Sequence, residues 1–97
     1  MKALVISKEA KADLEQIGDY IALDNPKRAV SFLDELTVKC RDIAQFPESY
    51  PCFEDLSETA RIAPYKKYVL IYTIHDDFIS IERILHGARD IMSLIEK

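Results

Sequence analysis

Two apolar runs in the second half of the chain place the strongest constraint on its fold. Residues 68–74 read YVLIYTI and residues 78–85 read FISIERIL, with apolar or aromatic side chains at both odd and even positions. Strands with apolar side chains on both faces belong in the middle of a sheet. The Asp76-Asp77 pair between the runs suits a two-residue turn. The sequence therefore predicts two adjacent strands at or near the centre of a sheet.

Two amphipathic helix patterns precede these strands. Ser7 can cap the first, and Asn25 and Pro26 can cap and start the second, which must end near Phe46 because Pro47 disfavours helical geometry before it. The two apolar stripes, with steps of three and four, are Ala10, Leu14, Ile17 and Ile21, and then Ala29, Leu33, Leu36, Cys40 and Ile43. We expect an αα-hairpin that packs both stripes on the sheet.

The remaining segments complete an α+β order. Ala3–Ile6 reads as a short buried strand, residues 46–59 as a loop, and residues 61–63 as a strand that Pro64 ends or moves to a sheet edge. Gly87 ends the last strand, and residues 88–96 carry a short helical pattern. The prediction is one domain over residues 1–97: an N-terminal strand, a helical hairpin, an antiparallel three-stranded meander and a short C-terminal helix.

Composition restricts the classes of function. Of 97 residues, 13 are Lys or Arg and 17 are Asp or Glu, so the net charge of −4 works against binding a polyanion directly. No apolar run approaches the roughly 20 residues of a membrane span, and the first apolar run is too short for a signal peptide. We therefore expect a cytoplasmic protein without membrane contact. Cys40 and Cys52 read as free thiols, and we expect no metal and no cofactor.

Arg83 is the most informative single charge. On a regularly alternating strand it shares a face with three apolar residues, Ile79, Ile81 and Leu85. A charge in such a place must be paired or must reach an open edge. Pairing with a carboxylate on an adjacent strand or in the acidic loop and a direct functional role both remain open.

The end of the last strand gathers further polar residues. His86, Arg89 and Asp90 surround Gly87, and a histidine beside a cation could support acid–base chemistry or could simply make a structural hydrogen bond. The His75-Asp76-Asp77 run reads as a solvated turn rather than a metal cluster. An aromatic stripe indicates sheet packing more than a base-stacking platform: Tyr65, Tyr68 and Tyr72.

Three segments carry a resemblance to a known family. They are AKADLEQI in the first helix, RxAPYxxYVLIY from residue 61 to 72, and RILHGARD from residue 83 to 90. Together with the order of elements, they resemble the RelE/ParE toxins of bacterial type II toxin–antitoxin systems over nearly the whole chain. The RILHGARD segment is similar to the ParE branch.

The resemblance implies a small cytoplasmic toxin that a cognate antitoxin, ParD-like or other, neutralises in a hetero-oligomer by laying an extended or helical segment over its groove. ParE-like members inhibit DNA gyrase, arrest replication and growth and serve plasmid maintenance, whereas RelE-like members cut mRNA on the ribosome. DNA would be contacted only indirectly, through the antitoxin complex.

The choice of branch depends on single positions. RelE-like nucleases carry an Arg after the first Tyr of the central strand and a Tyr or His near the C-terminus. Here Val69 follows Tyr68, and only Arg61 and Arg89 match basic positions. A gyrase inhibitor that acts by binding is therefore the leading hypothesis. The alternative is a ribosome-dependent endoribonuclease using His86 and Arg89, and a third reading is a toxin fold that has lost its toxicity.

The expected contact residues for the target or the antitoxin are spread over the last three strands and the turn beyond them. The set is Arg61, Tyr68, Tyr72, Arg83, His86 and Arg89.

Overall fold

The computed structural model describes residues 2–52, 54, 58–87 and 90. The order of elements is β1 (Ala3–Ile6), α1 (Lys8–Ala22), α2 (Pro26–Gln45), a 3-10 turn (Pro47–Ser49), β2 (Ala60–Tyr65), β3 (Tyr68–Ile74) and β4 (Phe78–His86). This confirms the predicted α+β architecture. The C-terminal helix predicted at residues 88–96 lies outside the described residues apart from Asp90.

The helices begin and end where their capping residues predict. The Ser7 hydroxyl accepts a hydrogen bond from the backbone N–H of Ala10 at 3.0 Å, and the Asn25 side chain does the same for Arg28 at 3.1 Å. Each bond satisfies one of the N–H groups that a helix start leaves without an intrahelical partner. The two helices approach closely at Gly18, where a Cβ atom would lie 2.9 Å from the Cδ1 atom of Leu33.

The four strands form one sheet in the order β1-β4-β3-β2. β1 runs parallel to β4, while β3 pairs antiparallel with both β4 and β2. The two apolar runs are therefore the two central strands, as predicted. β2 is an edge strand that continues through Pro64, so the proline does not end it. An edge strand tolerates proline because one side of its backbone has no ladder partner.

Both faces of the sheet bury apolar residues. Along β3, Leu70 and Tyr72 face the helices and belong to the main core, whereas Ile71 packs with Ala60 and Leu85 in a second cluster on the opposite face. The helices contribute Ala10, Ile17, Phe32, Leu36, Cys40, Ile43 and Ala44 to the main core. Burial raises the pKa of the Cys40 thiol to about 11.

A register shift interrupts the pairing of β3 with β4. Ile71 lies opposite Arg83 while its neighbour Tyr72 lies opposite Ile81, so Glu82 is an extra residue in β4. Such a bulge resets which side chains face each way. The expectation that Leu85 shares a face with Ile79 and Ile81 is therefore wrong: those two residues and Ile84 lie in the main core, and Leu85 lies in the second cluster.

Candidate partner-binding groove

The sheet leaves the end of β4 open beside α1. β1 stops at Ile6, opposite Ile81, because Ser7 starts the helix there. No strand in the described part of the chain lies beside β4 beyond that point on this side. We call the resulting cavity of about 480 Å³ the α1–β4 groove; its lining residues are Asp13, Gln16, Ile17, Tyr20, Tyr68, Arg83, Ile84, Leu85, His86 and Asp90.

Arg83 is paired within this groove. Its Nε and Nη2 atoms donate to the two carboxylate oxygens of Asp13 at 2.8 and 3.0 Å. Asp13 is only 8% exposed and also accepts the backbone N–H of Ile84 at 2.9 Å. The hydrogen bonds to Asp13 raise the pKa of the Arg83 guanidinium further above its already high ordinary value. Arg83 is thus paired, but its carboxylate comes from α1 and not, as expected, from a neighbouring strand or the acidic loop, and a direct functional role for Arg83 stays a prediction.

Sequence reasoning missed Asp13, although a signal for it exists. The residue lies three positions after Ala10 and four before Ile17, which places it on the apolar stripe of α1. A carboxylate on a buried stripe requires a partner, because an unpaired buried charge is costly. Asp13 and Arg83 carry opposite charges at positions with apolar neighbours, in elements predicted to pack on each other.

His86 occupies the outer end of the groove. It lies opposite Tyr68 in the β3–β4 ladder, and the two rings meet edge to face with centroids 5.7 Å apart. Its backbone N–H donates to an oxygen of Asp90 at 3.2 Å. The ring Nδ1 atom is buried and has no hydrogen-bond partner among the described residues.

Two other predicted contact residues lie elsewhere and hold a loop. An Nη atom of Arg61 donates to the backbone carbonyl of Tyr50. The hydroxyl of Tyr72 donates to the carbonyl of Pro47 at 2.5 Å, and its side chain is fully buried, which raises its pKa. These contacts fix the segment after α2 on the sheet. The structure therefore brings together Tyr68, Arg83 and His86, while Arg89 lies outside the described residues.

The other sequence candidates have structural partners. Tyr65 and Tyr68 pack on Phe32 with ring centroids 6.1 and 5.6 Å apart, which confirms sheet packing. The Nε2 atom of His75 lies 3.0 Å from the hydroxyl of Ser80, which donates to Glu82 at 2.6 Å. Within residues 2–52, 54, 58–87 and 90, no three His, Cys, Asp or Glu side chains are arranged to hold a metal ion.

A second charged cluster lies between α2 and the β2–β3 turn. The Glu35 carboxylate accepts hydrogen bonds from Arg28, from the hydroxyl of Tyr65 at 2.5 Å and from Lys66 at 3.1 Å. Arg28, and then Tyr65 and Lys66, lower the pKa of Glu35 to about 2. We call this the Glu35 cluster; it ties helix to sheet and lies outside the α1–β4 groove.

The groove can bind, but its described residues are poorly suited to chemistry. Two nitrogens of Arg83 are committed to Asp13, and Asp90 adds a second carboxylate to the lining. The exposed Tyr20, at 71%, extends the groove with an aromatic surface. Such a mixture of an aromatic anchor, an apolar floor and a polar rim is typical of a protein-binding site. No helix in the described part of the chain is long and apolar enough to cross a membrane.

Comparisons with known proteins agree with this architecture. Residues 4–91 match the family model described as the ParE toxin of the type II toxin–antitoxin system parDE. A solved structure of the chromosomal ParDE toxin–antitoxin system from P. aeruginosa contains a chain with the same fold: the TM-score is 0.79, the sequence identity 18%, and the match covers 89% of this chain and 96% of that one. A comparison with curated protein sequences finds no significant match. On the family match over most of its length, this chain belongs to the ParE toxins of type II toxin–antitoxin systems.

Proposed function

We propose that this protein is a cytoplasmic toxin that inhibits DNA gyrase by binding it, and that a cognate antitoxin neutralises it by covering the α1–β4 groove. Membership of the ParE family supports this target, since the resemblance to the ParE branch implies gyrase. The observation that supports binding rather than cleavage is the Asp13–Arg83 ion pair. It neutralises Arg83, which is the one arginine among the described residues that line the groove.

Cleavage of RNA makes different demands on a site. It needs a general base, a general acid and cations that stabilise the phosphate. In the groove, Arg83 would have to leave Asp13 before it could grip a phosphate, and Val69 stands where a nuclease of this superfamily has an arginine. The net charge of −4 also disfavours a polyanionic substrate. These features favour a surface that binds protein.

The proposed contact surface runs along the exposed side of α1. Tyr20 lines the groove at 71% exposure, and Leu23, at 86%, lies three residues further on, at the C-terminal cap of α1. Large exposed apolar side chains beside a groove supply the anchors of many protein interfaces. The net charge of −4 favours an antitoxin segment that brings Arg or Lys to the rim of the groove.

The first test is a DNA cleavage assay with the purified chain, gyrase, supercoiled plasmid and ATP. We expect linear, protein-linked DNA to accumulate, and an excess of the antitoxin encoded beside the toxin to reverse it. Toxin that is folded and arrests growth, yet has no effect on gyrase at any ratio, would exclude the gyrase proposal.

A matched pair of variants tests the groove. Tyr20→Ala removes an exposed aromatic side chain that lines the groove, and Val38→Ala removes an exposed aliphatic one, at 52%, on α2 outside it. Neither substitution opens a cavity in the core. We expect Tyr20→Ala to weaken antitoxin or gyrase binding about tenfold or more, and Val38→Ala to leave it unchanged. Equal binding by both variants would remove this part of α1 from the interface.

The nuclease alternative is supported by one observation. The Nδ1 atom of His86 has no hydrogen-bond partner in the described structure. Under this alternative, a bound substrate would supply that partner. Under that alternative, His86→Gln should abolish cleavage of ribosome-bound transcripts while the variant still binds the antitoxin. Under the gyrase proposal, the wild-type protein leaves those transcripts intact.

A further inference from the structure

The open edge of β4 is closed by side chains rather than by another strand. Along this edge, the carbonyl of Glu82 accepts the hydroxyl of Ser7 at 2.8 Å, the N–H of Ile84 donates to Asp13 at 2.9 Å, and the N–H of His86 donates to Asp90 at 3.2 Å. The backbone groups of alternate residues point to the same edge of a strand. Three consecutive outward positions therefore each have one backbone group bonded to a side chain.

An edge without such closure attracts other strands. Unpaired N–H and C=O groups in a row form a template for pairing with another chain. At this edge the flanking side chains Ile84 and Leu85 are buried in the core, at 1% and 6% exposed, so the backbone groups alone are what another strand could pair with. An extended segment with open hydrogen-bonding groups would pair with such a strand.

We infer that Asp13 is an edge guard, which keeps β4 from pairing with the β4 strand of a second copy of this chain. The second copy is the occupant that fits, because one edge can pair antiparallel with its own copy about a two-fold axis, with each chain offering the same groups. Asp13 accepts the hydrogen bond from the N–H of Ile84, which is the middle one of the three positions. Arg83 holds the carboxylate there through two hydrogen bonds.

Two single variants separate this role from that of the ion pair. Asp13→Ala and Arg83→Ala both break the Asp13–Arg83 pair, but only Asp13→Ala also removes the acceptor of the Ile84 N–H. We expect Asp13→Ala to self-associate at concentrations where wild type and Arg83→Ala are monomers. Light scattering after size-exclusion chromatography measures this difference.

Hydrogen exchange locates the change. In dilute Asp13→Ala, the Ile84 amide should exchange about tenfold or more faster than in wild type, since it has lost its acceptor. Its protection should return as the concentration rises and the edges pair. Arg83→Ala should keep much of its protection at all concentrations, because Asp13 can still accept this N–H.

The double variant Asp13→Ala with Arg83→Ala covers the case in which the single Asp13 variant fails to fold. Removing both partners leaves no orphaned charge and is tolerated better than removing one. This variant should fold and self-associate. A monomeric double variant, or equal behaviour of Asp13→Ala and Arg83→Ala, would show that Asp13 acts only through its ion pair. Neither outcome depends on what the toxin inhibits.

Discussion

Asp13 and Glu35 make the same number of hydrogen bonds but hold very different places in this protein. Each is a helix carboxylate that accepts three hydrogen bonds, and each connects the helical layer to the sheet. Asp13 is 8% exposed and lies in the α1–β4 groove, whereas the Glu35 side chain is 31% exposed and its cluster faces solvent. From this comparison we expect that burial, rather than the number of partners, decides how much stability depends on a carboxylate.

The physical reason is whether water can replace the hydrogen bonds that are lost with the carboxylate. Removing a buried acceptor leaves a buried donor, here the Ile84 N–H, without any partner, and that desolvation penalty is not recovered. At the surface, water takes over the hydrogen bonds, and salt screens the charges. The Asp13 site should therefore respond strongly to substitution, and the Glu35 cluster weakly.

The largest expected effect is the loss of stability in Asp13→Ala. It leaves the buried N–H of Ile84 without its acceptor and the half-exposed Arg83 without its carboxylate, and we expect the free energy of unfolding to fall by about 2 kcal/mol. Glu35→Ala should cost less, because none of the three donors to Glu35 is a buried backbone group. Urea denaturation of both variants at pH 7 makes the comparison. Equal losses would mean that burial is not the deciding difference.

A smaller effect should appear in the pH dependence of the Glu35 cluster. Because the folded-state pKa of Glu35 is lowered from 4.5 to about 2, its contribution is fully present above about pH 4.5. It should decline as the pH falls below that value and vanish near pH 2. The difference in melting temperature between wild type and Glu35→Gln, measured from pH 7 downwards, should follow this course. A difference that stays constant over the range would contradict the assignment.

The smallest expected effect concerns Lys66 at the tip of the β2–β3 turn. Its φ of 54° lies in the left-handed region, which costs a residue with a side chain about 1 kcal/mol relative to glycine. Its ammonium group compensates by bonding Glu35 and by lying over the rings of Tyr65 and Phe32, at 5.5 and 5.9 Å. Lys66→Gly should therefore change stability by less than 1 kcal/mol in either direction.

A control sharpens the Lys66 comparison. Lys66→Ala keeps the strained backbone and loses the ammonium contacts, so it should be less stable than Lys66→Gly. Thermal melts of the two variants decide this. If Lys66→Ala is the more stable of the two, the turn is not strained.

Much of the fold could be predicted because its signals are local. The caps at Ser7 and Asn25 and the break at Pro47 gave the helix bounds, and the two apolar runs gave the central strands. The groove was harder. Tyr68, Arg83 and His86 were predicted as contact residues and do lie together, but Arg61 and Tyr72 hold the loop after α2 instead. The helical and strand periods predict which face a side chain lies on. They do not predict that a polar side chain on that face will donate to a backbone carbonyl of a distant loop.

The sequence by itself determined the α+β order, the helical hairpin, the central strands and the resemblance to ParE toxins, because each depends on residue spacing within one segment. Only the tertiary structure decided the partner of Arg83, the bulge at Glu82 that turns Leu85 to the other face, and the closure of the β4 edge by Ser7, Asp13 and Asp90. Asp13 and Arg83 lie 70 residues apart in the chain. Such contacts arise from how the layers pack, so no local pattern specifies them.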